Sequence, residues 1–411
     1  MKKIILINIF ILNGLFCNSQ DTPYKTINYD FINQQQNQIQ FFGKSKIYFT
    51  EICSNLNNLI IRGKGQLKVL QIGDSHIQAD YFSGQMRENL QSFALGIKGS
   101  RGFIFPYNVA STNNPDNYKV KYTGKWEHRR NITESENCDL GITGISVTTY
   151  EPDATIRIIL NNHNFPFQDF NKVRIYHNNS DTVFNIVLFE NQIIDNHYKT
   201  NDYSEYITEN HFDTLNILLQ KTDSLQKCFT LYGIELSNDD PGVIYSAVGI
   251  NGAEINSFLK CNLLESQLKT LNLQWIIISL GTNDAYSANF NSDIFENNLN
   301  VLIDRIETAL PDIFILLTTP PDSYRRKRYP NPNMLLASKI IQKVAKEKDC
   351  AVWNLHEVMG GFTSIKKWMK AGLAASDKVH FSRAGYALQG DLLFNAFLNA
   401  YDNIIDTGIK N

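Results

Sequence analysis

A serine, a histidine and an aspartate together can cleave an ester when the chain brings them into line. This sequence offers each in a fitting local setting. Gly73-Asp74-Ser75-His76 follows directly on an apolar run. A Ser at a strand-to-helix turn sits at the carboxyl edge of an α/β sheet, where such sheets bind ligands. The helix after it offers N–H groups and a positive dipole end, both of which stabilise a developing oxyanion. The same residues are also ordinary turn chemistry. Asp377-Lys378-Val379-His380 stands far downstream. A spacing of three predicts carboxylate and imidazole on one face of a helical turn. Asp377 then holds one ring nitrogen while the other takes a proton from a Ser hydroxyl. A surface Asp–His pair, or a capping His, is the plainer alternative. Gly281-Thr282-Asn283-Asp284 and Gly249-Ile250-Asn251-Gly252 each close a further apolar run. The Asn283 amide can face an oxyanion, a contribution of roughly 3–4 kcal/mol in comparable sites. A helix-capping Asn is the alternative. A Gly lets the backbone approach a ligand and donate an N–H, and Gly252 is preferred to Gly249 because it opens a helix.

These blocks need a sheet to align them. Near-continuous β-branched runs at 66–72, 242–248, 273–280, 313–319 and 351–355 suit strands buried on both faces of a parallel sheet. Helical stripes lie between. Phe295, Leu299, Leu302, Ile303, Ile306 and Leu310 share one face, with Asp293 as the expected cap and Glu296 in capping-box position. Further helices are expected at 82–95, 335–348 and 383–401. The alternation predicts right-handed crossovers and a three-layer α/β/α core. One connection breaks the rhythm. Roughly 145 residues separate Leu95 from Pro241, where a crossover needs about a dozen. There the apolar period becomes two, as in Ile156, Ile158 and Leu160, then Val173 and Ile175, then Phe184, Ile186 and Leu188. That predicts an inserted antiparallel β-sandwich over 108–238. The remaining segments are 1–19, 20–107 and 239–411.

The chain has 411 residues, 39 Lys+Arg against 41 Asp+Glu, and 43% apolar residues. That is ample for a large core and gives no electrostatic reason to expect nucleic acid or an acidic membrane surface as partner. Lys2 and Lys3 precede an apolar run over 4–16, which at about 13 residues is too short to span a bilayer. It reads as a signal peptide ending near Ser19, so export to the periplasm or medium is expected, without membrane insertion. Bulky Phe16 argues against lipidation of Cys17. Five Cys remain beyond Cys17, with no Cys-x-x-Cys, so a disulfide scaffold is not indicated and Cys138–Cys228 is the one bridge considered. The eight His lack metal-ligand spacing, so neither metal nor cofactor is expected, and calcium in the insertion has no clear ligand cluster. Arg325-Arg326-Lys327-Arg328 is either a carboxylate-greeting edge or a solvated loop, the latter being the usual fate of charge runs. Trp126, Tyr150, Phe165, Phe167 and Tyr176 can stack on sugars, but strand aromatics mostly pack into a core.

Gly-Asp-Ser, Gly, Gly-x-Asn-Asp and Asp-x-x-His, in this order at successive strand ends, resemble the SGNH (GDSL-type) hydrolases. The resemblance implies a flavodoxin-like fold and a serine esterase. It implies Ser75 as nucleophile, His380 as base, Asp377 as its partner, and an oxyanion hole from Ser75, Gly252 and Asn283. His76 departs from lipase-type members, which carry Leu there; with Asp74 it becomes a candidate substrate contact. Gly73 to Asp80, the β-rich insertion, Met359-Gly360-Gly361 leading to Trp368, and Gly372-Leu373-Ala374 look like bacterial peptidoglycan O-acetylesterases, whose insertion resembles a carbohydrate-binding module. The implied substrate is an O-acetylated glycan. A transferase using the same triad, and a glycan-binding protein with an inactive core, are the competing readings.

Overall fold

A computed structural model describes residues 23–133, 139–160, 168–188 and 194–408. The expected runs form the strands β2 (Gln66–Gly73), β3 (Gly242–Gly249), β4 (Trp275–Ser279), β5 (Phe314–Thr318) and β6 (Ala351–Trp353), joined by a short edge strand β1 (Ile39–Phe41). The sheet order is β1-β6-β5-β4-β2-β3. β1 pairs antiparallel to β6 and all other neighbours are parallel. The parallel strands thus run in the doubly wound order, which reverses direction between β2 and β4.

Burial on both faces explains the unbroken apolar runs. Trp275 and Ile277 of β4, with Phe314 and Leu316 of β5, pack under α1 (Ser45–Arg62), α3 (Phe82–Ser92) and the C-terminal helix Arg383–Gly408. Ile276, Ile278, Ile315 and Leu317 face the opposite way, toward α5 (Leu264–Thr270), α7 (Ser292–Ala309) and α8 (Pro332–Glu347). The α7 stripe is as expected, but its start differs. Asn291, not Asp293, caps the helix, its side chain accepting from the N–H groups of Asp293 and Ile294 at 3.0 Å each. Asn and Asp are near-equal caps, so type alone does not fix the register.

The segment between α3 and β3 forms two antiparallel sheets, as its two-residue period predicts. One joins Phe170–His177, Tyr203–Phe212, Ile194–Lys199, Phe229–Ser237, Ile145–Thr149, Glu127–Arg130 and Gly102–Ile104. The other joins Tyr118–Tyr122, Thr155–Leu160, Thr214–Gln220 and Asn185–Leu188. Ile156, Ile158, Leu215, Ile217, Val173 and Leu231 are buried between them. Tyr176 is fully buried, Trp126 packs partly against the core, and Tyr150 is exposed. Cys17, Cys138 with its proposed bridge, Phe165 and Phe167 lie outside the described residues. Among the described residues no helix is long and apolar enough to cross a membrane.

Candidate active site

β2 ends at Gly73 because nothing larger fits. A Cβ there would lie 2.2 Å from the Ile77 side chain and 2.8 Å from the Ser279 carbonyl. The chain turns at once into α2 (Ser75–Gln78), capped by Asp74, whose carboxylate accepts the His76 N–H at 2.9 Å. Ser75 is thereby held half-buried at the carboxyl edge of the sheet. Its Oγ lies 3.0 Å from Nε2 of His380, although 305 residues separate them. His380 Nδ1 lies 2.8 Å from Oδ2 of Asp377. The remaining oxygen, Oδ1, accepts the N–H groups of Val379 at 2.9 Å and His380 at 3.0 Å. Contrary to the helical turn expected from the spacing, residues 377–380 form a non-helical turn. Lys378 takes φ +57° and the Ala374–Phe381 bridge closes it. The aspartate organises this turn through its own backbone contacts, so the two side chains meet without a helix. Burial pushes the Asp377 carboxyl up, but the hydrogen bonds from His380 and the two backbone N–H groups outweigh it and hold it below the usual carboxylate range.

Asn283 is the second residue of α6 (Thr282–Tyr286), which follows Gly281 at φ +116°. Its amide donates to the Ala253 carbonyl at 2.9 Å and makes a long 3.4 Å contact to Asp74. Gly252, at φ +85°, borders the same cleft, and a Cβ on it would meet only Ile132, at 3.9 Å. Gly249 differs. Its N–H is taken by the Tyr107 hydroxyl at 3.2 Å, and a Cβ would lie 2.3 Å from the backbone nitrogen of Gln78. It lets β3 press against α2 and so sets the height of Ser75.

Ser75, Gly252, Asn283, Asp377 and His380 all border one open cleft of about 670 Å³. Asp74 and His76 lie behind its floor, 1% and 6% exposed. Burial drives the Asp74 carboxyl up to about 7. Burial, aided by the His380 charge, drives His76 down to about 3, so its ring is neutral. His76 Nδ1 lies 2.9 Å from the Tyr386 hydroxyl, and its ring is 5.3 Å from that of His380. Gln78, buried behind the cleft, is given no role from sequence. Gln78 accepts the Asn251 N–H at 2.7 Å and donates to Thr112 at 2.9 Å, locking the start of the insertion to the cleft rim. Asn113, Tyr286, Arg326 and Lys327 also face the cleft. Of these only the charge run carried a sequence signal.

Asp284, beside Asn283, accepts the N–H of Ile255, the first residue of α4 (Ile255–Leu259), at 3.2 Å. Burial, with repulsion from Glu254, raises its carboxyl from 3.8 to about 7. The folded state therefore binds this proton more tightly than the unfolded chain, and ionisation destabilises the fold as pH rises from about 4 to 7. Asp284→Asn keeps an acceptor for Ile255 and removes the charge. Its expected gain is nil near pH 4 and, at about 1.4 kcal/mol per pH unit, on the order of 4 kcal/mol well above pH 7. Thermal unfolding of both proteins at the two pH values checks this.

Residues 230–388 match the GDSL-like lipase/acylhydrolase family model. The match begins beyond most of the insertion, which separates the Gly73-Asp74-Ser75 block from it. No curated protein matches the sequence. Among solved structures, a peptidoglycan O-acetylesterase superposes with a TM-score of 0.74 at 21% identity, covering 89% of this chain and 99% of that one. An acetyl xylan esterase gives 0.31 at 21% identity, over 38% of this chain and 82% of its own. A family two carbohydrate esterase from Clostridium thermocellum gives 0.28 at 10%, over 69% and 98%. The first of these shares the fold along nearly the whole chain, insertion included. Over residues 230–388 the chain thus matches the GDSL-like lipase/acylhydrolase family of ester hydrolases, and over nearly its whole length it shares the fold of the first of these structures.

Proposed function

We propose that the protein is an exported serine esterase that removes O-acetyl groups from a polysaccharide, peptidoglycan being the favoured substrate. The observation that carries this is the unbroken line from Ser75 Oγ through His380 to Asp377, at 3.0 and 2.8 Å, in an open cleft. His380 Nε2 takes the Ser75 proton as Oγ attacks the acetyl carbonyl. The N–H groups of Ser75 and Gly252 and the Asn283 amide receive the oxyanion, the amide exchanging its long contact to Asp74 for the substrate oxygen. The tetrahedral intermediate collapses, the sugar oxygen leaves with the proton from His380, and an acetyl group remains on Ser75 Oγ. Water, deprotonated by His380, then releases acetic acid and restores the hydroxyl. Asp377 keeps Nδ1 protonated and stabilises the imidazolium. Asp74 acts here by holding α2, and His76 by packing behind His380; neither reaches the cleft.

Export rests on Lys2, Lys3 and the apolar run over 4–16. The glycan substrate rests on the whole-chain likeness to a peptidoglycan O-acetylesterase. The insertion over 108–238 is read as its carbohydrate-binding-module-like part. The test is mass spectrometry of O-acetylated peptidoglycan fragments incubated with the purified protein. Loss of acetyl groups with stoichiometric free acetate is expected. Fragments that keep every acetyl group, while an aryl acetate is hydrolysed, would overturn the substrate.

A further inference from the structure

We propose that Arg326 and Lys327 form an anion subsite beside the nucleophile, which holds a carboxylate carried by the acetylated glycan; this rests on the esterase reading above. Both residues border the same cleft as Ser75 and His380. Both are exposed, and among the described residues neither has an ion-pair partner. Some cations elsewhere are neutralised by carboxylates. Arg383 is paired with Asp116, and Lys343 and Lys348 are paired with Glu296 and Asp304. The carboxylate at the cleft, Asp377, is already engaged by His380.

The backbone adds a second observation. Arg326 and Lys327 sit consecutively at φ +48° and +62°, a region that Gly and Asn enter cheaply and long side chains do not. They form the tip of a small hairpin between Tyr324–Arg325 and Tyr329–Pro330. The hairpin is fastened to the cleft from three sides. The Arg326 N–H donates to the Tyr286 hydroxyl at 3.1 Å. Lys378 Nζ donates to the Lys327 carbonyl at 2.6 Å. The Tyr324 N–H donates to the Lys378 carbonyl at 2.9 Å, within the turn that carries His380. The backbone that carries the two uncompensated charges is thus tied to the cleft and to the turn that holds His380, where a solvated loop would need none of these ties.

The surroundings strengthen the field. Lys366 and Lys378 each lie over the Tyr324 ring, at 5.1 and 5.0 Å from its centre. The chain as a whole carries a formal charge of -2, so this local excess of positive charge is set against the average. A concave site lined by one sign of charge concentrates ligands of the other. A guanidinium beside an ammonium suits a planar carboxylate, through a bidentate fork and a point charge. Asn113 and Asn251, which also line the cleft, suit neutral hydroxyls.

The carboxylate can belong to an acidic sugar or to a peptide attached to it. The experiment compares kcat/KM on four acetyl esters: an aryl acetate, an acetylated neutral oligosaccharide, an acetylated muramic-acid disaccharide, and that disaccharide bearing its stem peptide. Wild-type protein should prefer a carboxylate-bearing glycan over the neutral one by about 10–100-fold, and added salt should erode the preference. In R326A/K327A that ratio should collapse toward one, mainly through KM, and R326K/K327R should restore much of it. Loss of the preference already on the peptide-free disaccharide assigns the sugar carboxylate; loss only with the stem peptide present assigns the peptide. Equal wild-type kcat/KM on neutral and acidic glycans, or a ratio unmoved in the double variant, overturns the subsite while aryl acetate turnover keeps the esterase. No turnover of any ester would overturn the esterase reading itself.

Discussion

Ser75→Ala should lower ester hydrolysis by about 10⁵–10⁶-fold and leave the fold unaltered. The Ser75 hydroxyl meets His380 Nε2 at the open face of the cleft, so its removal opens no interior void. α2 is held instead by the Asp74 cap, by the close approach of Gly249 to Gln78, and by Ile77, which is 1% exposed. None of these involves the hydroxyl. Circular dichroism and thermal unfolding should therefore match wild type, while release of a chromophore from an aryl acetate falls to the level left by the oxyanion donors alone. His380→Ala should cost nearly as much, and the double variant little more than either, because the two groups act in one step. A Ser75→Ala protein that turns over within tenfold of wild type removes Ser75 as nucleophile. So does a pair of single losses that multiply.

Much of the arrangement was legible because its physics is local or periodic. Trp275-Ile276-Ile277-Ile278 reads as a doubly buried strand since both of its faces are covered by helices. The insertion reads as sandwich since Ile156, Ile158 and Leu160 point inward and Arg157 outward. Ser75 and Asn283 follow adjacent strands, β2 and β4, at the point where strand order reverses, so a topology inferred from sequence already brings them together. Other features have no local signature. Ile39–Phe41 is a strand only because it pairs with Ala351–Trp353, and three residues carry no period. The Asp377–His380 turn depends on a left-handed Lys378, a conformation that residue type does not announce. Tyr386 reaches His76 across 310 residues of chain, and Gln78 meets Asn251 across 173. The basic run at 325–328 reads as solvated, and only the folded hairpin turns Arg326 and Lys327 toward the cleft.

Asp377→Asn should lower kcat by about 10³–10⁴-fold with little loss of stability, and the reason lies in how the two carboxylate oxygens divide their work. Oδ1 accepts two backbone N–H groups and so shapes the turn that presents His380. Oδ2 faces Nδ1 of the ring at 2.8 Å. An Asn that keeps its oxygen at the Oδ1 position preserves the turn but sets an NH2 group against Nδ1. Nδ1 must then become the acceptor, which puts the ring proton on Nε2, facing Ser75, where no proton can be taken up. Flipping the amide would restore the correct tautomer, but its NH2 would then oppose the N–H groups of Val379 and His380, leaving two donors without acceptors at roughly 1–3 kcal/mol each. Catalysis and stability are therefore exchanged for one another in this variant, and the backbone contacts decide in favour of stability. Asp377→Ala loses both, since no acceptor remains for the turn. Measuring kcat on an aryl acetate together with the unfolding midpoint separates these cases. An Asn variant that keeps both near wild type would mean that His380 takes its orientation from elsewhere, and the neutral His76 ring 5.3 Å away is the neighbour to test next.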